Sequence, residues 1–318
     1  MRIGLFFLLA LASATSLGQD YPVKPIRLIV ATAPGGLMDV AAHTLVDYFQ
    51  KAYGQRMFVE NRGGAGGVLA GDAIAKAPPD GYTLGQIQVG NVAINPFLVK
   101  NMPFDPLNDL VPVAPLTSSP VVVAINAHVP AANLAELIAL ARREPGKLNY
   151  GSAGPGTIPH LSGELFAQSA KVRLTAVHYR GAGPALTDLL AGQVQVIFVG
   201  LGVVRSHMAA GTARVLAVSQ PERLSAAPEI PTAAEAGLPA FEINTWFGIV
   251  APKGTPERIV GTLVRQIHAM QDDPSVQKRL SDSGLEPLKE SPDQFRARML
   301  RDHERFREIV QTAGLKAE

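Results

Sequence analysis

Two glycine-rich turns carry the residue types best suited to bind a small anion. They are Pro34-Gly35-Gly36-Leu37-Met38-Asp39 and Ser152-Ala153-Gly154-Pro155-Gly156-Thr157, and each stands between a strand-like and a helix-like run. A helix N-terminus has unpaired backbone N–H groups and a partial positive dipole, and glycine lets a ligand approach that backbone closely. Either turn could equally be a tight turn whose donors are satisfied by water. One turn in each half of the chain favours a cleft that holds an anion from both ends.

The sequence lacks the residue spacing that nucleotide-binding, hydrolase and metal sites require. Gly200-Leu201-Gly202 lacks the third glycine of a dinucleotide fingerprint, and no Gly-Lys-Ser/Thr phosphate loop occurs. A hydrolase built on Ser152 and His160 stays open as an alternative, but Tyr150 stands where a nucleophile elbow needs glycine. His160 and Glu164 share a helix face without a third ligand, which favours a polar pair over a metal site. We therefore expect no catalytic residue, no metal and no cofactor.

Composition excludes several classes of protein. The 318 residues suggest two domains, and 29 basic against 27 acidic residues give a formal charge of +2. Without a basic stripe to displace counterions, we expect no nucleic-acid partner. The absence of cysteine excludes disulfides, thiolate metal sites and a cysteine nucleophile.

The first eighteen residues read as a secretory signal. Arg2 precedes an apolar stretch too short to span a membrane, and small residues stand three and one positions before Gln19. Cleavage before Gln19 is the first expectation and cleavage after Ala14 the second. The sequence thus predicts an exported, periplasmic protein with a signal peptide at residues 1–18; an uncleaved membrane anchor is the alternative.

Strand-like and helix-like runs alternate along the rest of the chain. Short β-rich runs lead through glycine loops into segments with apolar residues at helical spacing. This order predicts α/β architecture with parallel sheets and right-handed crossovers. The predicted strands are 26–31, 57–60, 83–89, 121–125, 149–152, 174–179, 194–199, 215–219 and 247–251, and the predicted helices are 39–53, 68–77, 134–143, 157–169, 184–191, 256–271, 274–283 and 292–313.

A series of motifs in fixed order makes the chain resemble a known family. It is similar to the solute-binding receptors of tripartite tricarboxylate transporters, the Bug receptor family. The resemblance covers the whole chain after the signal and is carried by the segments Tyr21–Ile26, Ala33–Gly36 with Asp39, Val59–Gly67, Pro79–Leu84, Ile94–Pro96, Asn149–Gly154, His160–Phe166, Leu189–Gln193, Pro231–Gly237 and Trp246–Gly248.

This resemblance implies a type 2 periplasmic-binding-protein fold, with two α/β domains and a ligand cleft between them. It places residues 19–122 and 247–318 in domain 1 and residues 123–246 in domain 2. It also implies a small carboxylate ligand, delivery to the membrane subunits of a tripartite transporter, and no enzymatic activity. We expect a monomer, and a sensor subunit that docks to a two-component kinase is the alternative.

The resemblance also implies which residues line the cleft. Met38, Val199 and His43 stand where the family usually has a hydroxyl residue, an aspartate and often an arginine. Apolar residues at the first two positions speak against a ligand with an ammonium group and favour a dicarboxylate or aromatic carboxylate. Trp246 could line this cleft or lie in the core. The candidate ligand-binding residues are Pro34, Gly35, Gly36, Met38, Asp39, Gly90, Asn91, Ala153, Gly154, Gly156, Thr157, His160, Tyr179, Arg180 and Val199.

Overall fold

The computed structural model describes residues 21–32, 34–54, 56–154, 156–179, 181–224, 226–312 and 314–315. The predicted signal peptide and Arg180 lie outside the described residues. The strands are β1 (Ile26–Val30), β2 (Met57–Asn61), β3 (Thr83–Gln88), β4 (Leu110–Asn126), β5 (Asn149–Ser152), β6 (Thr175–His178), β7 (Val196–Gly200), β8 (Ala213–Val218), β9 (Asn244–Pro252) and β10 (Glu286–Pro287). The α-helices are α1 (Leu37–Tyr53), α2 (Val68–Ala75), α3 (Val89–Ala93), α4 (Asn95–Leu98), α5 (Leu134–Arg143), α6 (Ile158–Ala170), α7 (Ala182–Leu190), α8 (Leu201–Ala209), α9 (Glu257–Asp272), α10 (Pro274–Asp282) and α11 (Pro292–Thr312).

The strands form two units. In the first unit β2, β1 and β3 are parallel neighbours in that order, and β9 then pairs antiparallel with β3. In the second unit β7, β5 and β6 are parallel neighbours, and β7 pairs antiparallel with the end of β4. The same short pattern, a central strand with one parallel neighbour on each side, therefore occurs twice.

The 17-residue strand β4 belongs to both units. Its first part, from Leu110 to Pro120, pairs with β9, and its last part, from Val121 to Ile125, pairs with β7. The expectation of parallel sheets holds for β2, β1 and β3 and for β7, β5 and β6. The whole sheet is mixed, because β9 runs antiparallel to β3 and β4 runs antiparallel to β7. The prediction had also missed residues 110–120, where Pro112, Pro115 and Pro120 argue against a strand.

The remaining expectations about secondary structure hold with shifts at the ends. All nine predicted strands and eight predicted helices are present, whereas α3, α4 and α8 were not predicted. Helix α1 shows why helix ends can be predicted from sequence. It starts after Gly36 and stops before Gly54, a C-cap glycine with a left-handed φ of +65°. None of the helices in the described part of the chain combines the length and apolar character that a membrane span requires.

The side chain of Trp246 lies in the apolar core. Its side chain is fully buried, its ring packs edge-on against Phe295 at 5.1 Å, and its Nε1 donates to Asp302 Oδ2 at 2.7 Å. Burial raises the pKa of Asp302, while the bond from Trp246 and nearby arginines act in the opposite direction. Trp246 is thus a core residue with a satisfied N–H rather than part of a cleft.

Candidate functional site

Both glycine turns follow the central strand of their unit. The first turn follows β1, which lies between β2 and β3, and the second follows β5, which lies between β6 and β7. In open α/β sheets, successive connections from such a strand leave in opposite directions, and the crevice at its carboxyl end is where ligands bind. The topology therefore places the two predicted loops at the two positions best suited to hold a ligand.

In the first loop, an acidic side chain takes one of the glycine donors. The backbone N–H of Gly35 donates to Asp39 Oδ2 at 3.0 Å, and Asn61 Nδ2 donates to Asp39 Oδ1 at 2.9 Å. Burial acts to raise the pKa of Asp39, but these two hydrogen bonds and the nearby His43 lower it below its ordinary value. Asp39 is thus an ionised group that organises the loop. The N–H groups of the first turn of α1 have no partner inside the helix, so they are candidate donors to a ligand.

A recess that the sequence prediction missed lies beside this loop. Its volume is about 510 Å³, and it is lined by Ala31, Thr32, Pro34, Asn61, Gly63, Gly64, Gly66, Gly67 and Gln88. These residues lie at or directly after the carboxyl ends of β1, β2 and β3. The hydroxyl of Thr32 has no hydrogen-bond partner among the described residues. The glycine run after β2 is visible in the sequence, and the parallel pairing of β1 with β2 places it beside the first loop.

The second loop repeats the local design of the first. The backbone N–H of Gly156 donates to His160 Nδ1 at 3.1 Å, just as Gly35 donates to Asp39. In both loops the donor is the residue before the N-cap and the acceptor is the third residue of the helix. Thr157 Oγ1 donates to the carbonyl of Gly154 at 2.7 Å, which closes the turn.

His160 is held in its neutral form. It is 5% exposed, and an Nδ1 atom that accepts a hydrogen bond carries no proton. Burial and the neighbouring His178 lower the pKa of His160, while Glu164, whose Oε1 is 3.9 Å from Nε2, acts in the opposite direction. Glu164 itself accepts from the Tyr150 hydroxyl at 2.6 Å. The pair at positions 160 and 164 is therefore part of a polar network under the second loop.

Ser152 pairs with a different histidine from the one that the hydrolase alternative invoked. Ser152 Oγ lies 2.7 Å from His178 Nδ1, and Ser152 is fully buried. The ring of His178 meets that of His160 edge-on at 4.7 Å. A serine nucleophile needs an accessible hydroxyl, usually beside a histidine Nε2. The observed pair has neither property, which argues against a serine hydrolase built on Ser152.

Some of the remaining predicted residues are exposed or half-buried, and others have side chains that are hydrogen-bonded within the protein. Pro34, Gly35 and Gly36 are exposed, and Ala153 and Gly90 are half-buried. Both ends of the Asn91 amide are engaged within the first unit, because Nδ2 donates to the Gly66 carbonyl and Oδ1 accepts from Gln88. The Tyr179 hydroxyl donates to Asp188, and burial together with this bond raises its pKa to about 12.

Two predicted contacts are buried in apolar clusters. Met38 is 2% exposed and packs in the larger cluster, and Val199 is 4% exposed and packs in the smaller one. Neither position supplies a polar side chain that could bind a ligand. Arg180 lies outside the described residues.

The second loop also lies against the first unit. An ideal Cβ placed on Gly156 would lie only 2.5 Å from Cδ1 of Leu98, at the end of α4. Similarly, a Cβ on Gly200 would lie 4.0 Å from Cδ1 of Leu37, at the start of α1. The carboxyl edges of the two units therefore approach each other, and apolar side chains of the first unit meet glycines of the second.

Comparisons with known proteins show which family this chain is similar to. A family model described as "Tripartite tricarboxylate transporter family receptor" matches residues 41–315. Protein BugT of Bordetella pertussis is 35% identical over 315 residues, which cover 99% of this chain and 97% of that protein.

Solved structures are similar over nearly the whole chain. Rpa4515 of R. palustris, solved with adipate, has a TM-score of 0.81 and 33% identity, covering 94% of this chain and 100% of its own. MatC (Rpa3494) of Rhodopseudomonas palustris, with bound malate, has a TM-score of 0.75 and 32% identity, covering 91% and 100%. These likenesses confirm the predicted α/β periplasmic-binding-protein fold.

Proposed function

Because the chain belongs to the tripartite tricarboxylate transporter receptor family, we propose that it captures a small carboxylate between its two glycine loops. The bound form is then recognised by the membrane subunits of a tripartite transporter. We favour transport over the sensor-kinase alternative because the description of the matching family model names a transporter. The proposal involves no chemical step: the two units enclose the ligand, and opening releases it.

One observation carries this proposal. Each loop follows the central strand of its unit and opens an α-helix, and we infer that backbone donors of both units point toward a common ligand. A carboxylate is bound well by such donors because each N–H contributes a charge-assisted hydrogen bond. Relatives solved with adipate and malate support a ligand of this class.

The polar groups around the loops favour a ligand without an ammonium group. Asp39 is a carboxylate near the site, but its two oxygens accept from Gly35 and Asn61. Met38 and Val199 are apolar and buried. Met38 and Val199 provide no acceptor for an ammonium group, and Asp39 is committed to the loop, so dicarboxylates and aromatic carboxylates should bind better than amino acids.

We further propose the setting in which this receptor works. Residues 1–18 direct export to the periplasm, and the mature chain is a monomer. Its domains comprise residues 19–122 with 247–318 and residues 123–246, with β4 and β9 at the crossings. N-terminal sequencing of exported protein and size-exclusion chromatography with light scattering test these points, and a retained Met1 or a dimer would contradict them.

A thermal-shift panel tests the ligand class. Adipate, malate, succinate, nicotinate and benzoate are compared with aspartate, glutamate and inorganic phosphate at equal concentration. A ligand present at 100 times its Kd stabilises the folded protein by about 2.7 kcal/mol, which is readily seen as a rise in Tm. We expect a carboxylate without an ammonium group to give the largest rise in Tm. The proposal fails if no carboxylate shifts Tm, and its finer part fails if aspartate or glutamate gives the largest shift.

A further inference from the structure

An exposed histidine lies at the edge of the second half of the site. His178 is the last residue of β6, and in the parallel register it is the partner of Ser152, the last residue of β5. The second glycine loop starts directly after Ser152. His178 is exposed, whereas Ser152 and the neighbouring His160 are buried.

The hydrogen bond to Ser152 determines what the ring presents to the cleft. Ser152 Oγ lies 2.7 Å from Nδ1 of His178 and also accepts from the Gly154 N–H at 3.3 Å. In the neutral tautomer that carries its proton on Nε2, the serine hydroxyl donates to Nδ1. When the imidazole is charged, Nδ1–H donates to the serine oxygen and Nε2 again carries a proton. Nε2 is thus a donor in the charged form and in this neutral tautomer.

The neighbours of His178 are engaged with one another. The described residues of β5 and α6, the elements packed against β6, include three ionisable groups, Tyr150, His160 and Glu164, and of these His160 contacts the ring of His178. Glu164 accepts from the Tyr150 hydroxyl, and His160 is neutral because Gly156 donates to its Nδ1. Asp188 of α7 accepts from Tyr179. Within the described part of the chain, none of these groups forms an ion pair with His178.

We propose that His178 binds a carboxylate of the ligand through Nε2–H, and that ligand binding is coupled to proton uptake at this ring. The proposal rests on the proposed function, since it places the ligand in front of the second loop. Ser152 is a positioning residue that fixes the ring by its hydrogen bond. A carboxylate beside the imidazole favours the charged form, so affinity rises as pH falls through the range in which histidine is protonated.

Isothermal titration calorimetry of the full mature chain tests this inference. The probe is adipate, or the member of the carboxylate panel that gives the largest thermal shift. Titrations run from pH 6.5 to 8.5, where carboxylic acids are ionised, in phosphate and in Tris, whose heats of ionisation differ. We expect the affinity of the unmodified protein to fall at least ~3-fold across this range, since one coupled proton gives at most tenfold per pH unit. The buffer dependence of the heat should show proton uptake.

Two variants separate His178 from other titrating groups. His178→Gln keeps an N–H donor near the position of Nε2 but cannot be charged, so its affinity should vary by less than ~2-fold across the pH range. His128→Gln is the matched control, because His128 is an exposed histidine that follows β4 at the opposite end of the same unit. This variant should keep the pH dependence of the unmodified protein.

Each outcome decides between the two proposals. If no carboxylate of the panel binds, the proposed function fails and this inference fails with it. If a carboxylate binds but its affinity does not change with pH, only the role of His178 is wrong. The same holds if His178→Gln keeps the full pH dependence, which would assign the proton to another group.

Discussion

The backbone N–H of Gly156 donates to Nδ1 of His160 at 3.1 Å. Its counterpart in the first unit is the bond from Gly35 to Asp39 Oδ2 at 3.0 Å. The geometry is the same, but one acceptor is an ionised carboxylate and the other a neutral imidazole. The two halves of the site therefore have the same loop shape and different charge, and substitutions at these four positions should separate loop stability from ligand binding.

Asp39→Asn should destabilise the protein by about 1.5–3 kcal/mol, because an amide cannot accept from both Gly35 and Asn61 with charge-assisted hydrogen bonds. Asp47→Asn is the control on the same helix. Asp47 is exposed and pairs with Arg279 at 2.8 Å, so its loss should cost about 1 kcal/mol or less. Urea unfolding at pH 7 measures both, and equal losses would contradict the role of Asp39.

The contribution of Asp39 should depend on pH in a defined direction. Its hydrogen bonds lower the pKa of Asp39 below the ordinary 3.8 in the folded state, although burial opposes this. The stabilisation is therefore present above pH 3.8 and is lost as pH falls through the lower folded-state value. Urea unfolding between pH 3 and 7 should show the unmodified protein and Asp39→Asn converging at the acid end.

His160→Asn and His160→Gln should differ although both remove the ring. Asn places Oδ1 near the position of Nδ1 and can still accept from Gly156, whereas Gln places its polar atoms near Nε2. We expect His160→Gln to lose about 1–3 kcal/mol more stability than His160→Asn, since it leaves the loop N–H without its partner. Thermal unfolding at pH 8 compares the two, and equal stability would show that this bond contributes little.

His160 also predicts how stability changes near neutral pH. Burial and His178 lower the pKa of His160 below the ordinary 6.5. The unfolded chain then binds a proton more readily, so stability is full above pH 6.5 and falls as the pH drops below it. His160→Asn should lack this component, whereas His128→Asn, which changes an exposed histidine, should keep it. Unfolding free energies from pH 5 to 8 measure the difference.

Neighbouring glycines of the first loop should respond differently to alanine. Gly36 has φ −90°, whereas Gly35 has a left-handed φ of +91°. Gly35→Ala should therefore cost about 1–2 kcal/mol of stability. Gly36→Ala meets nothing within 4 Å and should stay within about 0.5 kcal/mol.

Ligand affinity should rank these two variants in the opposite order from stability. Gly36→Ala, which costs little stability, should weaken binding more than Gly35→Ala. A methyl group on Gly36 stands where a ligand approaches the backbone, so calorimetry should show about a tenfold weaker binding, or 1.4 kcal/mol. Undiminished affinity in Gly36→Ala would contradict direct contact between ligand and loop.

The contact between Leu98 and Gly156 should be visible in a double-mutant cycle. Gly156→Ala places a Cβ 2.5 Å from Leu98 Cδ1 at a residue with φ +70°, so it should hinder the approach of the two units and weaken ligand binding. Adding Leu98→Ala removes the clash but not the backbone strain, and binding should recover in part. We expect a coupling energy of about 0.5–3 kcal/mol from calorimetry. Independent, additive effects would show that this contact has no part in closure.

Much of the fold is readable from sequence because its signals are local. Apolar spacing and glycine or proline boundaries indicated nine strands and eight helices, and the two glycine loops stood out by residue type alone. The order of motifs then indicated the family. The strand at residues 110–120 escaped prediction because its prolines are tolerated only where each faces away from a needed hydrogen bond, and the pairing partners decide that.

What tertiary structure alone decided is which distant residues meet. Ser152 and His178 are 26 positions apart in sequence, and only the parallel register of β5 and β6 brings their side chains to 2.7 Å. In the same way, the pairing of β1 with β2 brings Asn61 to Asp39, and the approach of the two units brings Leu98 to Gly156. Periodicity specifies which face of an element is buried, but not which element covers it. The loops of the site could therefore be found from sequence, whereas their partners could not.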